Sequence, residues 1–153
     1  MDMINRVEKI DFIPLFPALT LILKGHTKFF EKKLEGTNVT PSELPYILKV
    51  CGDNGNISQR DLSEIFSVSE PVVTRTLKNL ENKGFIIRTK DPNNKTRRLL
   101  SLTEEGFEIS EKMLNINDEW LEELFKDMYQ ADIDKFNGII KSLTVNSLKI
   151  WWG

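Results

Sequence analysis

What constrains this chain most is its punctuation between Ile57 and Gly106, where Ser67-Val68-Ser69, Gly84 and Asp91-Pro92-Asn93-Asn94 interrupt the pattern so often that only short elements fit. In the first interval Ser58 is placed to accept a hydrogen bond from the third helical amide, and Asp61 stands where a capping-box acid belongs. Leu62, Ile65 and Phe66 follow as one apolar stripe at helical spacing, which predicts a short amphipathic helix. A second helix is expected from its cap, Ser69, to Lys83, with Pro71 in the first turn, where a missing amide costs nothing. Val73, Thr76, Leu77 and Leu80 share one of its faces, and Glu70, Thr74, Arg75, Lys78, Asn79 and Asn82 share the other.

Gly84 stops that helix. Phe85-Ile86-Ile87, followed by Arg88, reads as a strand because aromatic and β-branched side chains suit a pleated surface. Residues 91–94 make a turn, the return strand runs from Arg98 to Leu102, and Thr103-Glu104-Glu105 caps the next helix. Helix, turn, helix, then a two-stranded ribbon whose loop carries Lys90, Lys95, Arg97 and Arg98 is a winged helix-turn-helix. The expected class is mainly α with a small antiparallel β wing, formally α+β.

Charge is segregated along the chain. From Arg60 to Arg98 there are nine Lys/Arg against five Asp/Glu, although the whole chain is at −2. From Thr103 to Asp134 eleven acids face two bases, Lys112 and Lys126. A polyanion is steered by the local patch, so the first block would attract a phosphate backbone and the second repel it.

The run from Ser69-Glu-Pro-Val-Val-Thr-Arg-Thr-Leu to Lys83-Gly-Phe-Ile, then Arg88, Asp91-Pro92 and Leu102-Thr103-Glu-Glu-Gly106, resembles the recognition helix, wing and exit of the MarR family of transcriptional regulators. The match is specific over residues 41–106 and weak outside them. Where the family wing reads Asp, Pro, any residue, Asp, Arg, Arg, this chain has Asp91-Pro92-Asn93-Asn94-Lys95-Thr96. Lysine is a compact point charge rather than a planar fork, so Lys95 would contact a minor groove less directionally than arginine. Arg97, one place along, is the other candidate for that contact, and the wing's internal acid-to-arginine pairing is put in doubt.

With 153 residues, the chain suffices for one domain with a real core; 29% charged and 40% hydrophobic residues exclude a disordered tail. The single cysteine, Cys51, excludes an internal disulfide and points to a reducing cytoplasm. The apolar run Phe12 to Leu23 follows acids, contains two prolines, lacks a small-residue cleavage site and is too short to span a bilayer. It reads as a buried or interface helix, with no membrane partner.

Helices dominate elsewhere. A first helix is expected from the Pro14–Pro17 region to Leu34, followed by a loop at Gly36-Thr-Asn. Thr40-Pro41-Ser42-Glu43 reads as a capping box opening a helix through Leu44, Ile47, Leu48 and Val50, which Asp53-Asn-Gly-Asn56 ends. Beyond the wing, Phe107, Leu114, Leu121 and Met128 repeat every seven residues and predict one long helix with an apolar seam. Asp132 is the expected cap of a last helix carrying Phe136, Ile139, Ile140, Leu143 and Leu148 to Trp152. The reading is a single MarR-like domain over 1–153, with a DNA-binding lobe at 40–103 and helical dimerisation regions at 1–36 and 104–153.

The terminal apolar faces need a partner or must fold onto each other within a monomer. A homodimer is favoured, because two winged modules about 34 Å apart can read a palindrome together. The resemblance implies that Ile10 to Phe16 and Ile139 to Trp152 build it. It also implies a cleft for a small aromatic or anionic effector, lined by His26, Phe29, Phe30, Tyr46 and Trp120, all of which are equally plausible core residues.

Arg75 is the strongest candidate for a base or phosphate contact, since arginine pairs bidentately with guanine; the bland alternative is a solvated surface arginine. Ser69, Glu70, Pro71, Val72 and Thr74 occupy the end of the helix that enters the groove, where Val72 can touch a thymine methyl and Ser69 or Thr74 a base or phosphate oxygen. Lys78, Lys95, Arg97 and Arg98 suit phosphates or the minor groove, with pairing inside the ribbon as the alternative for Arg98. His26 lacks companions at metal-ligand spacing, and Cys51 lacks the cationic surroundings of a reactive thiolate, so neither a metal nor a cofactor is expected. No nucleophile with a base, paired carboxylates or glycine-rich phosphate loop points to an enzyme. The expected function is a sequence-specific, ligand-responsive repressor; the rival is a winged protein-interaction module without DNA binding.

Overall fold

The computed structural model describes residues 3–152, apart from the side chains of Met3, Lys95 and Trp152. They fall into two units, Met1–Ile116 and Asn117–Gly153. The first begins with a short helix the sequence did not signal, α1 (Met3–Val7), and continues with α2 (Leu15–Lys33), which Leu34 closes. Then come α3 (Leu44–Gly52), β1 (Ile57–Ser58), α4 (Gln59–Phe66), α5 (Glu70–Asn82), β2 (Ile86–Asp91), β3 (Asn94–Leu102) and the first part of α6 (Glu104–Phe125).

Leu62 of α4, Val73, Leu77 and Leu80 of α5, Phe30 of α2, Ile47 and Val50 of α3 and Met113 of α6 form one buried cluster, closed from the sheet side by Ile86 and Leu100. Ile65 does not join its expected stripe; it is exposed, while Phe66 is half-buried against Tyr46. Thr40-Pro41-Ser42-Glu43 forms a turn before α3 rather than its first helical residues. Glu43 accepts the Thr40 amide at 2.9 Å, and its buried carboxylate is held by Lys83 Nζ at 2.8 Å, tying that turn to the end of α5.

Ser58 and Asp61 make the capping box at the start of α4 as their spacing predicts. The helix ends on Ser67 in the left-handed region, φ 51°. The Val68 amide reaches back to the Ser63 carbonyl and the Ser67 amide to that of Glu64, both at 3.2 Å. This is the bonding of a Schellman stop with serine where glycine is usual, and it fixes the turn between the two helices.

The ribbon is larger than expected. β3 starts at Asn94 rather than Arg98, and β1 pairs with it through Ile57 opposite Leu100, giving a three-stranded antiparallel sheet in the order β1-β3-β2. Beyond β3, Thr103 Oγ1 accepts the Gly106 amide at 3.0 Å and donates to the Gly84 carbonyl at 2.6 Å. Gly106 lies so close beneath Phe85 that a Cβ would land on the Phe85 carbonyl oxygen. The buried face of α6 is therefore Gly106, Ile109, Ser110, Met113 and Ile116, and the seven-residue seam of Phe107, Leu114 and Leu121 is exposed.

The second unit holds the end of α6 and α7 (Gln130–Trp152). α7 starts two residues before the expected cap, so Asp132 lies inside its first turn, and Met128 falls outside α6. Phe125 meets Phe136 edge-on at 5.7 Å, yet no described side chain of this unit is fully buried. Among the described residues no helix is long and apolar enough to cross a membrane.

Candidate nucleic-acid interface

Burial of Val73, Leu77 and Leu80 fixes the rotation of α5, and with it what the opposite side presents. Glu70, Pro71, Val72, Thr74, Arg75 and Lys78 are all exposed, as the helical pattern requires. Ser69 adopts the extended backbone of an N-cap but makes no side-chain capping bond; its carbonyl receives the Val72 amide at 3.0 Å. Its hydroxyl is thus not consumed by the cap. Arg75, Lys78, Lys90 and Arg98 are exposed and, among the described residues, carry no ion pair. The Lys95 side chain lies outside the described residues.

Arg97 is placed differently from the other wing cations. Its Nη2 donates to Asp61 Oδ2 at 2.6 Å and its Nη1 reaches Asp91 Oδ2 at 3.5 Å. Asp91 also accepts the Asn93 amide at 2.8 Å, shaping the turn. The guanidinium therefore ties the base of the wing to the first turn of α4, supplying an acid-to-arginine pairing from one position later than the family pattern. Partial burial raises the Asp61 carboxyl, but hydrogen bonds from the Ser58 amide, Arg97 and the Ser58 hydroxyl outweigh it and hold Asp61 below the ordinary carboxylate value.

A second polar chain joins the helices to the wing. Gln59 Nε2 donates to Thr74 Oγ1 at 2.7 Å, Gln59 Oε1 accepts from Arg88 Nη1 at 3.0 Å, and Arg88 Nε donates to Glu81 at 2.9 Å. Gln59 carries no site signal in the sequence, and Arg88 figures there only beside a strand and in the family resemblance. Their partners lie 15 and 29 residues apart and leave no periodic signal. A polar cleft of about 660 Å³ opens beside them, its lining including Arg60, Arg88, Arg98, Glu64 and Glu70. Its mixed charge suits a polar ligand better than an apolar one.

The residues expected around an effector cleft do not share one environment. Phe30 and Tyr46 are core residues; Phe29 and His26 are half-buried, with the His26 ring 4.4 Å from Phe30 and its pKa lowered by burial. Trp120 belongs to the second unit. Cys51 is half-buried, with the Ser110 hydroxyl 3.6 Å from its sulfur. Among the described residues no group of His, Cys, Asp and Glu is placed to hold a metal ion.

Two short helices about a tight turn, a three-stranded wing and a cation-bearing outer face define a winged helix-turn-helix protein. The chain belongs to the MarR family, a family of transcriptional regulators: the MarR family model matches residues 45–97. It is 27% identical over 122 residues to the HTH-type transcriptional regulator BilQ of Clostridioides difficile (strain CD3), covering 80% of each chain. A crystal structure of MarR superposes with a TM-score of 0.79 at 30% identity, over 92% of this chain and 95% of that one. A MarR family protein from Listeria monocytogenes, crystallised with a 26mer DNA, has the same fold, with a TM-score of 0.81 at 23% identity over 92% and 93% of the two chains.

Proposed function

We propose that this protein is a cytoplasmic, homodimeric repressor that binds a palindromic operator in double-stranded DNA and releases it in response to a small aromatic or anionic effector. The observation that carries the DNA-reading part is the outer face of α5, where exposed Arg75, with no ion pair among the described residues, stands beside Val72, Thr74 and Lys78. In this reading α5 enters the major groove, with Ser69, Glu70 and Pro71 at its leading end, while Lys95 and Arg98 take flanking phosphate or the minor groove. Arg97 acts from behind as a brace, since reaching DNA would break its contacts with both Asp61 and Asp91. That the Listeria protein of the same fold was crystallised with DNA supports double-stranded DNA as the partner.

The dimer is supported by apolar surface that a lone chain leaves in water. Phe12, Leu15, Phe16, Leu19, Ile22 and Leu23 are exposed around α2, and Ile139, Leu143, Leu148 and Trp151 along α7. A two-helix unit that buries no side chain completely gains little from the hydrophobic effect by itself, so a second copy is the natural cover. An effector acts in this scheme by preferring one spacing of the two DNA lobes, with half-buried His26 and Phe29 as the more open of the candidate contacts. Selection of bound duplexes from random DNA tests the whole reading. An inverted repeat with half-sites one turn apart is expected; enrichment of no sequence would overturn it.

A further inference from the structure

We infer that the Thr74 hydroxyl, its proton held by the Glu70 carbonyl and one lone pair by Gln59, can only accept a hydrogen bond from DNA, so that it takes the exocyclic amino group of adenine or cytosine. The inference rests on the DNA-reading function proposed above and specifies what one residue of that surface reads.

The argument is a count of donors and acceptors. Arginine has donors and no acceptor, so the Gln59 atom that faces Arg88 Nη1 at 3.0 Å has to be the amide oxygen. The Gln59 nitrogen then faces Thr74, and at 2.7 Å it donates to Oγ1. Arg88 cannot readily swing away, because its Nε is engaged by Glu81 at 2.9 Å. The Thr74 proton is committed as well: Oγ1 donates to the Glu70 carbonyl one turn back, at 2.8 Å. A hydroxyl has one proton and two lone pairs, so one lone pair is all that exposed Thr74 retains.

Such a group discriminates sharply among the partners DNA offers. Phosphate oxygens, guanine O6 and N7, adenine N7 and thymine O4 are acceptors and cannot bind to it. The donors displayed in the major groove are adenine N6 and cytosine N4. The sequence reading, which allowed Thr74 a phosphate oxygen, is narrowed accordingly.

The test selects bound sites from random duplexes with the wild type and Thr74→Val, and compares base frequencies strand by strand. Thr74→Val identifies the base beneath Thr74 as the position whose preference it removes. There the wild type should favour A or C over G or T by about two- to tenfold, the range of one net hydrogen bond. Thr74→Val should shrink that ratio to under about twofold while preferences elsewhere in the site persist, a pattern that general loss of stability cannot produce. A G or T preference at that position, or a Thr74→Val profile identical to the wild type, overturns the inference. Wild-type protein that enriches no sequence defeats the DNA-reading function itself, a result distinct from these.

Discussion

Asp61 Oδ2 accepts from Arg97 Nη2 at 2.6 Å and from the Ser58 amide at 2.8 Å, so a single carboxylate oxygen both starts α4 and anchors the wing. Helix initiation and wing position are thereby coupled through one group. Because that group titrates, the coupling has a pH signature.

Asp61 has a folded-state pKa below its ordinary 3.8, so it adds stability that is complete above that value and is lost as the pH falls through the lowered one. Asp61→Asn has no such charge to lose. Urea denaturation should find the wild type more stable at neutral pH, with the gap narrowing between about pH 5 and about pH 2. Since the Asp61 side chain is 36% exposed, solvent screening keeps the gap small. A gap independent of pH would show that the coupling is not ionic.

Gly106 is the point where α6 meets the turn after α5. Alanine there gains about 1 kcal/mol of helix propensity, yet its methyl would collide with backbone, which cannot yield as a flexible side chain does. Gly106→Ala should therefore lower stability by about 1–3 kcal/mol in thermal unfolding. An unchanged or raised midpoint would contradict the close packing.

Ser67 holds φ 51° without the glycine that such a helix stop favours. Ser67→Gly removes the Cβ strain and should stabilise the fold by roughly 0.5–1 kcal/mol, whereas Ser67→Val, β-branched and exposed, should destabilise it by at least as much. Chemical denaturation of the pair decides, and equal stability would remove the strain.

The apolar surface of α7 makes a prediction about association. Ile139 is 58% exposed in the single chain, so Ile139→Glu should leave the winged module folded while shifting sedimentation from twice the chain mass toward the chain mass. A wild-type protein that already sediments at the chain mass would contradict the proposed dimer.

The winged module was legible in the sequence because its signals are local. A cap and its acid lie three residues apart, Gly84 sits just past a periodic helix, and Asp91-Pro92 marks a turn. β1 was not legible: two residues are too few to show alternation, and its existence depends on β3 passing beside it. The face that α6 buries against the winged module carries no such signal, since the seven-residue apolar repeat lies on its exposed side. Small Gly106 and Ser110 permit the close approach that actually buries the helix. At the site, the outward face of α5 followed from periodicity alone, while Arg97's tie to Asp61, Gln59's to Thr74 and Arg88's to Gln59 are tertiary and have no sequence spacing to betray them.

If the exposed cations of α5 address DNA, Arg75 is the one whose loss must be felt. The measurement is fluorescence anisotropy titration of the selected duplex with wild type and Arg75→Ala, repeated across salt concentrations. Wild-type affinity should fall steeply with salt. Arg75→Ala should weaken binding by about 1–3 kcal/mol with its thermal midpoint unchanged. Equal affinity of the two proteins at every salt concentration would contradict it.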